Sequence, residues 1–382
     1  MTTEERGHEL SLSQLRQIGR ELGFDAIGAT TTDPFPELAP KLESYAKRGA
    51  TGFEWSDVGA RVDPRAFAPE AKSLIAVAMA YLTKEGHQLA HQHRLSGRDK
   101  GNVTVYCYGD DYHAVMERRL KRLAERLEEH LGRPVLAKAV VDTGPFVDRR
   151  VAERAGVGWV GKNCMLYTEE HGSFVFLGTL AVDVDIEPAK SDIAPQCHDC
   201  TRCLDACPTG ALIAPGVIDA KRCLSYVTQM KGIIPEEFRA PLGRRVFGCD
   251  TCQWACPENR DVDFSLHEEY LPKDELAFPQ LVEILGWSNR EFTRRYGHSA
   301  GAWRGVQTWK RNALIALGNA KNEAAIPHIL PFLRHDRKEL RASAAWALRR
   351  INPEATRGAV GQALEVESDP EIASEMAWAQ GR

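Results

Sequence analysis

The chain has 382 residues, 43% of them hydrophobic and 27% charged, with a formal net charge of -4. That length exceeds one ordinary core and the composition excludes a disordered chain, so two or three folded domains are expected. No apolar run is long enough to cross a bilayer and residues 1–9 are polar rather than signal-like, which points to a cytoplasmic protein.

Leu12, Leu15, Ile18 and Leu22 recur at helical spacing, and residues 24–29 then read as a buried strand. Residues 73–81 form a second strand. A long amphipathic helix runs through Val115, Leu120, Leu123, Leu127 and Leu131 until Gly132-Arg133-Pro134 breaks it, and residues 135–141 and 174–184 supply two more strands. The mixture predicts an α/β or α+β domain over residues 1–190.

Several residues in this stretch carry possible chemistry. Arg61 and Arg65 have guanidinium forks suited to an anionic cofactor, although solvated surface arginines are the more common case. Cys107, in Val105-Tyr106-Cys107-Tyr108-Gly109, reads as a buried hydrophobe. His113 has no second histidine at metal spacing and reads as a residue of a helix N-terminus. Asp142 follows the third strand and precedes Thr143-Gly144-Pro145. It is either a ligand-facing general acid or the N-cap of a helix started by Pro145, and the residues support both equally. Gly156-Val157-Gly158-Trp159-Val160-Gly161 matches G-x-G-x-x-G, yet residues 149–155 before it read as helix rather than strand, and Trp159 would crowd a pyrophosphate. That loop therefore serves some other close approach. Gly161-Lys162-Asn163 lacks the rest of a P-loop.

Ten cysteines in a reducing compartment point to metal binding or redox chemistry rather than disulfides. Cys197-x2-Cys200-x2-Cys203-x3-Cys207-Pro208 has the spacing with which bacterial ferredoxins bind iron-sulfur clusters, three thiolates taking one cluster and the fourth the other. A reciprocal set follows: Cys223, then, after an insertion, Cys249-x2-Cys252-x3-Cys256-Pro257. Two 4Fe-4S clusters are expected in residues 191–265, one on Cys197, Cys200, Cys203 and Cys256, the other on Cys207, Cys223, Cys249 and Cys252. Zinc sites use similar Cys-x2-Cys pairs; the Cys-Pro pairs and the crossed x3 spacing favour iron-sulfur.

Residues 266–382 read as a linker and helical repeats. Lys310-Arg311-Asn312-Ala313-Leu314-Ile315-Ala316-Leu317 recurs as Arg341-Ala342-Ser343-Ala344-Ala345-Trp346-Ala347-Leu348, and weakly at 372–378, a period near thirty that resembles HEAT repeats. Residues 301–350 hold ten Lys/Arg against three Asp/Glu, a local excess of +7 suited to a polyanion such as nucleic acid.

Arg61-Val62-Asp63-Pro64-Arg65, Tyr108-Gly109-Asp110-Asp111-Tyr112-His113, Val141-Asp142-Thr143-Gly144-Pro145, Gly158-Trp159-Val160-Gly161-Lys162-Asn163 and Cys223-Leu224-Ser225-Tyr226-Val227-Thr228-Gln229, with the cysteine runs and helical tail, resemble the epoxyqueuosine reductase family over nearly the full chain. The resemblance implies an α+β protein: an N-terminal cobalamin-binding α/β domain, a ferredoxin-like double-cluster domain and HEAT-like repeats. It implies the last step of queuosine formation in tRNA, in which an epoxide oxygen is removed to leave a cyclopentene. Carried over by position, Asp142 is the proton donor, and Arg61, Cys107, Ser225, Gln229 and Asp250 lie around the corrin. No Asp-x-His-x-x-Gly cobalamin signature is present, Asp111-Tyr112-His113-Ala114-Val115-Met116 coming nearest, so base-off cobalamin without a protein ligand is expected. Lys231, Arg304, Lys310, Arg311 and Arg341 are the expected tRNA contacts. An external one-electron donor such as flavodoxin or ferredoxin, no membrane and a monomer complete the expectation. The alternatives are a corrinoid reductive dehalogenase-like enzyme and a non-enzymatic electron-transfer scaffold. Cys164 has no assigned role.

Overall fold

The structure, a computed structural model, describes residues 8–93, 97–190, 193–273 and 276–381. Most of the polar segment 1–9 lies outside them. Helix α1 (Leu12–Glu21) starts at Ser11, whose hydroxyl caps Gln14 N while the Gln14 side chain returns to Ser11 N. The main sheet of the N-terminal domain takes four strands: β1 (Ala26–Thr31), β2 (Ser73–Ala80), β3 (Ala137–Val140) and β4 (Val175–Val182). They form one sheet in the order β1-β2-β4-β3, antiparallel throughout. The parallel-sheet argument for where a ligand sits therefore does not apply to Asp142.

β2 is buried along its whole length because the sheet is covered on both faces. Ile75, Val77 and Met79 face one core with Val115, Met116, Leu120, Leu123 and Leu127 of the long helix α2 (Tyr112–Leu131). Leu74, Ala76, Ala78 and Ala80 face another with Val151 and Ala152 of α3 (Asp148–Arg154). Asp111 caps α2, and Gly132, at φ +64°, ends it. The small residues permit close approach: a Cβ on Gly28 would lie 1.9 Å from the Ala155 carbonyl oxygen, and one on Gly178 2.9 Å from Met116 Cε.

Within the cluster region, α4 (Leu224–Gln229) and β5 (Arg245–Phe247) share a core with the C-terminal helices. β5 pairs in parallel with Asn102 and Val103 of the N-terminal domain. The chain also returns to that domain at residues 263–267, where Asp263 N donates to the Glu170 carbonyl (2.8 Å), Ser265 Oγ to the Ala80 carbonyl (2.7 Å), and His267 Nε2 meets Asp25 Oδ2 at 2.7 Å. Helices α5 (Val306–Ala320), α6 (Lys338–Ile351), α7 (Pro353–Leu364) and α8 (Pro370–Gln380) complete the chain. α5 and α6 carry the two copies of the repeat. Their alanines let the axes approach, and a Cβ on Gly318 would lie 2.9 Å from Ala347 Cα.

Candidate active site

Asp142 stands two residues beyond Val140, the last residue of β3, in the left-handed region at φ +59°. Such a conformation costs a non-glycine residue on the order of 1 kcal/mol and persists only where its surroundings impose it. α3 begins at Asp148 behind Val147 with no side-chain cap, so the N-cap alternative for Asp142 falls away. Its carboxylate is exposed and accepts a 2.8 Å hydrogen bond from Tyr112 Oη. Tyr112 is fixed in turn by stacking against Phe176 at 4.3 Å and His113 at 4.0 Å. Burial, then the charge of Asp142, raises the Tyr112 hydroxyl well above its usual range and keeps it a donor. His113 Nδ1 lies 2.8 Å from Asp111 Oδ1, within the N-terminal turn of α2.

A second carboxyl lies behind the first. Asp148 accepts a 3.0 Å hydrogen bond from Thr179 Oγ1, and burial, then the charge of Asp142, pushes it up to about 7. Asp148 carries no mark in the sequence beyond being an acid six residues after Asp142 at the start of a helix. Arg61, on the short helix Val58–Val62, belongs to the same electrostatic group: burial lowers its guanidinium, and Glu54, Tyr45, Arg149 and Asp148 are the charges around it. Arg65 is held instead by Asp63, through Nε at 2.9 Å and Nη2 at 3.0 Å.

On the cluster-domain side, Ser225 and Gln229 lie one turn apart on α4. Gln229 Nε2 donates to the Ser225 carbonyl (2.9 Å), and Gln229 Oε1 accepts from Trp303 Nε1 (2.8 Å). Phe53 bridges the N-terminal domain to this group, its ring 5.2 Å from Tyr226 and 5.3 Å from Trp303, with the Arg304 guanidinium 3.7 Å above Trp303. Phe53 and Trp303 remain 43% and 55% exposed, an aromatic lip that no sequence periodicity announced. The turn that presents Phe53 folds around Glu54, which accepts from Tyr45 Oη, Thr51 N (3.0 Å) and Gly52 N (2.9 Å).

Cys107 is buried in the apolar core with Val103, Phe247 and Trp309; Ser299 Oγ donates to its carbonyl at 2.8 Å. Asp250 is buried too, and its carboxylate accepts from Thr104 Oγ1 and from Val105 N (2.9 Å), tying the cluster loop to the segment bearing Cys107. A cavity of about 400 Å³ beside it is lined by His91, Asn102, Tyr108, Arg245 and Trp254.

The cysteines fall into two groups. Cys197, Cys200, Cys203 and Cys256 line one pocket with Lys162, Asn163 and Tyr167. Burial, then Cys256 and Cys197, pushes Cys203 up to about 11. Burial, then Cys249 and, more weakly, Cys207, pushes Cys223 up to about 11. The nearest thiols thus act mostly within the crossed groups, although Cys252 is raised by Cys203 of the other group as well as by Cys249 and Cys223. Among the described residues no three His, Cys, Asp or Glu side chains converge as ligands of a single ion would. Backbone amides point at the sulfurs: Lys162 N reaches Cys197 Sγ at 3.4 Å and Ala211 N reaches Cys207 Sγ at 3.3 Å. The glycine loop serves this region. A Cβ on Gly158 would lie 2.0 Å from the Tyr167 carbonyl oxygen, while Lys162 Nζ donates to the carbonyls of His198 (2.6 Å) and Cys200 (3.0 Å). Cys164 is buried against Cys203, Leu212 and Cys252, between the two groups.

Two expected tRNA contacts are corrected. Arg311 is 1% exposed and donates to the carbonyls of Met230 (2.6 Å), Gly232 (2.8 Å), Val227 (3.2 Å) and Thr228 (3.3 Å). Its charge tethers the end of α4 to α5. Arg341 forms a two-pronged ion pair with Glu367, at 2.6 and 2.9 Å, whose side chains are 16% and 4% exposed. Neither guanidinium is free to meet a phosphate. Lys231 is exposed, while Arg304 and Lys310 are partly so.

The fold and the cysteines define an iron-sulfur redox protein, a double-cluster unit joined to an α+β domain and to helical repeats. Three family profiles match it: epoxyqueuosine reductase QueG, DUF1730, over residues 61–143; a 4Fe-4S double cluster binding domain over 196–259; and HEAT repeats over 307–380. Epoxyqueuosine reductase of Bacillus cereus is 41% identical over 373 residues, covering 96% of this chain and 97% of its own; that of Escherichia coli K12 is 36% identical over 347 residues, covering 89% and 90%. A crystal structure of epoxyqueuosine reductase with an epoxyqueuosine-modified tRNA-Tyr stem loop superposes with a TM-score of 0.90 at 40% identity, covering 97% of each chain. The Streptococcus thermophilus enzyme gives 0.88 at 36% identity, covering 97% of this chain and 98% of its own. The chain belongs to the epoxyqueuosine reductase family. No described helix is long and apolar enough to cross a membrane.

Proposed function

We propose that the chain removes the epoxide oxygen of epoxyqueuosine in tRNA to leave queuosine, with electrons passed through two 4Fe-4S clusters. The observation that carries this reading is Asp142, an exposed carboxyl held in a left-handed turn by Tyr112 and offered towards solvent. One cluster is assigned to Cys197, Cys200, Cys203 and Cys256, the other to Cys207, Cys223, Cys249 and Cys252. Thiols spaced around a pocket suit a polynuclear cluster.

Cobalamin fits the donors present. Ser225 and Gln229 offer a hydroxyl and an amide to the polar rim of a corrin, and Arg61 supplies a cation on the Asp142 side. The histidine beside Asp142, His113, is committed to Asp111, consistent with a base-off cofactor. Cys107 and Asp250 are assigned to the same surroundings, Asp250 through the Thr104–Val105 turn it holds. When bound, cobalamin supplies a cobalt that accepts single electrons and cleaves a carbon-oxygen bond. Asp142 donates the proton that neutralises the oxygen as it leaves carbon, and Tyr112 orients it.

Arg304, Lys231 and Lys310 contact phosphates of the tRNA. An external one-electron donor such as flavodoxin or ferredoxin reduces the clusters, and the protein works as a cytoplasmic monomer. The test is turnover of epoxyqueuosine tRNA by cluster- and cobalamin-loaded protein. Asp142→Asn should lower kcat by at least about 100-fold while both cofactors stay bound; undiminished turnover removes Asp142 from its role.

A further inference from the structure

Removing an epoxide oxygen as water takes two electrons and two protons: both carbon-oxygen bonds break, one carbon-carbon double bond forms, and the oxygen leaves as water. The external donor, oxidised twice, supplies the electrons through the clusters. One carboxyl holds one proton, so Asp142 must be recharged within the turnover or share its load.

Asp148 occupies the place for this. Its carboxyl accepts from Thr179 Oγ1 at 3.0 Å, and Thr179 pairs with Val140, the β3 residue two positions before Asp142. The second acid is therefore pinned to the strand end from which the first projects. We propose that Asp148 is the second proton store of the reaction: Asp142 protonates the oxygen as the first carbon-oxygen bond breaks, takes the proton of Asp148, and passes it on as the second bond breaks and water leaves. Both carboxyls then reload from solvent through exposed Asp142. This rests on the function proposed above.

The charged or titratable groups facing Asp148 are Asp142 from its loop, Arg149 from α3 and Arg61 from the helix Val58–Val62. Burial and the Asp142 charge outweigh the Thr179 hydrogen bond and Arg149 and hold Asp148 at about 7, where a solvated carboxyl near 4 would already be empty. The charge that Asp142 carries once its own proton is spent is part of what keeps the proton on Asp148.

The experiment uses holoenzyme with both clusters and cobalamin, epoxyqueuosine tRNA and a one-electron reductant. Asp148→Asn should lower kcat about tenfold or more with KM for tRNA and the cofactor absorbance unchanged, and Asp148→Glu should restore kcat to within about threefold. In the wild type kcat should fall as pH rises through about 7, and that limb should be absent in Asp148→Asn. An Asp148→Asn enzyme within about twofold of wild type overturns the proposal alone, as does a wild-type kcat flat from about pH 6 to 9 even if the variant fails to fold. A wild type that never turns over epoxyqueuosine overturns the function beneath it.

Discussion

Tyr112 Oη donates to Asp142 Oδ2 at 2.8 Å, joining the first turn of α2 to the loop after β3. The hydroxyl fixes the direction of a carboxyl whose backbone is already constrained. Tyr112→Phe should keep the ring stack on Phe176, leave clusters and cobalamin bound, and lower kcat about tenfold, a loss of about 1.4 kcal/mol of transition-state stabilisation. Single-turnover rates on epoxyqueuosine tRNA check it.

The crossed thiol grouping makes a sharp iron count. Cys197→Ala with Cys256→Ala should remove one cluster and leave about four irons, whereas Cys197→Ala with Cys207→Ala should remove both. Equal iron loss in the two double variants would contradict the assignment.

Basic residues of similar appearance should separate cleanly. Arg304→Ala should weaken tRNA binding and flatten its dependence on log salt by about 0.7 to 0.9, with stability near wild type. Arg311→Met should remove the donor from the carbonyls of Met230, Gly232 and Val227, Thr228 keeping its bond from Asn312, and destabilise the fold by about 3 kcal/mol. Salt titrations of binding and denaturant unfolding distinguish them.

Glu54 organises the turn that presents Phe53. Burial would raise its carboxyl, but Tyr45 and Thr51 outweigh it and hold the group down at about 2. Because the folded value is depressed, the stabilisation is complete above the ordinary value of 4.5 and is lost as pH falls from there towards about 2. After allowance for solvent screening, Glu54→Gln should cost about 1 kcal/mol, a difference from wild type that stays flat from about pH 7 to 5 and shrinks below. Denaturant midpoints across that range measure it.

Local patterns were legible where local physics decides. The strands expected at 24–29, 73–81, 135–141 and 174–184 lie at 26–31, 73–80, 137–140 and 175–182, since alternation and breakers act over a few residues. The cysteine spacing placed four thiols around one pocket. What escaped depends on distant partners. Arg311 and Arg341 look like repeat-surface cations until Met230, Gly232 and Glu367 arrive from elsewhere in the chain. Asp148 resembles any helix-opening acid until Thr179 comes across the sheet, and the antiparallel strand order had no sequence mark.

The pairing of Asn102 and Val103 with β5 bears on how far this protein can be taken apart. Three profiles tile it as though three modules could be exchanged or expressed separately. Excising the cluster region would strip β5 of its backbone partners, release Asp250 from Thr104 and Val105, and deprive Arg311 of its acceptors in one cut. The cluster loops and the helices stacked on them are therefore one interdependent unit with the Asn102–Val103 edge, and fragments cut at the profile boundaries should fold poorly when expressed apart.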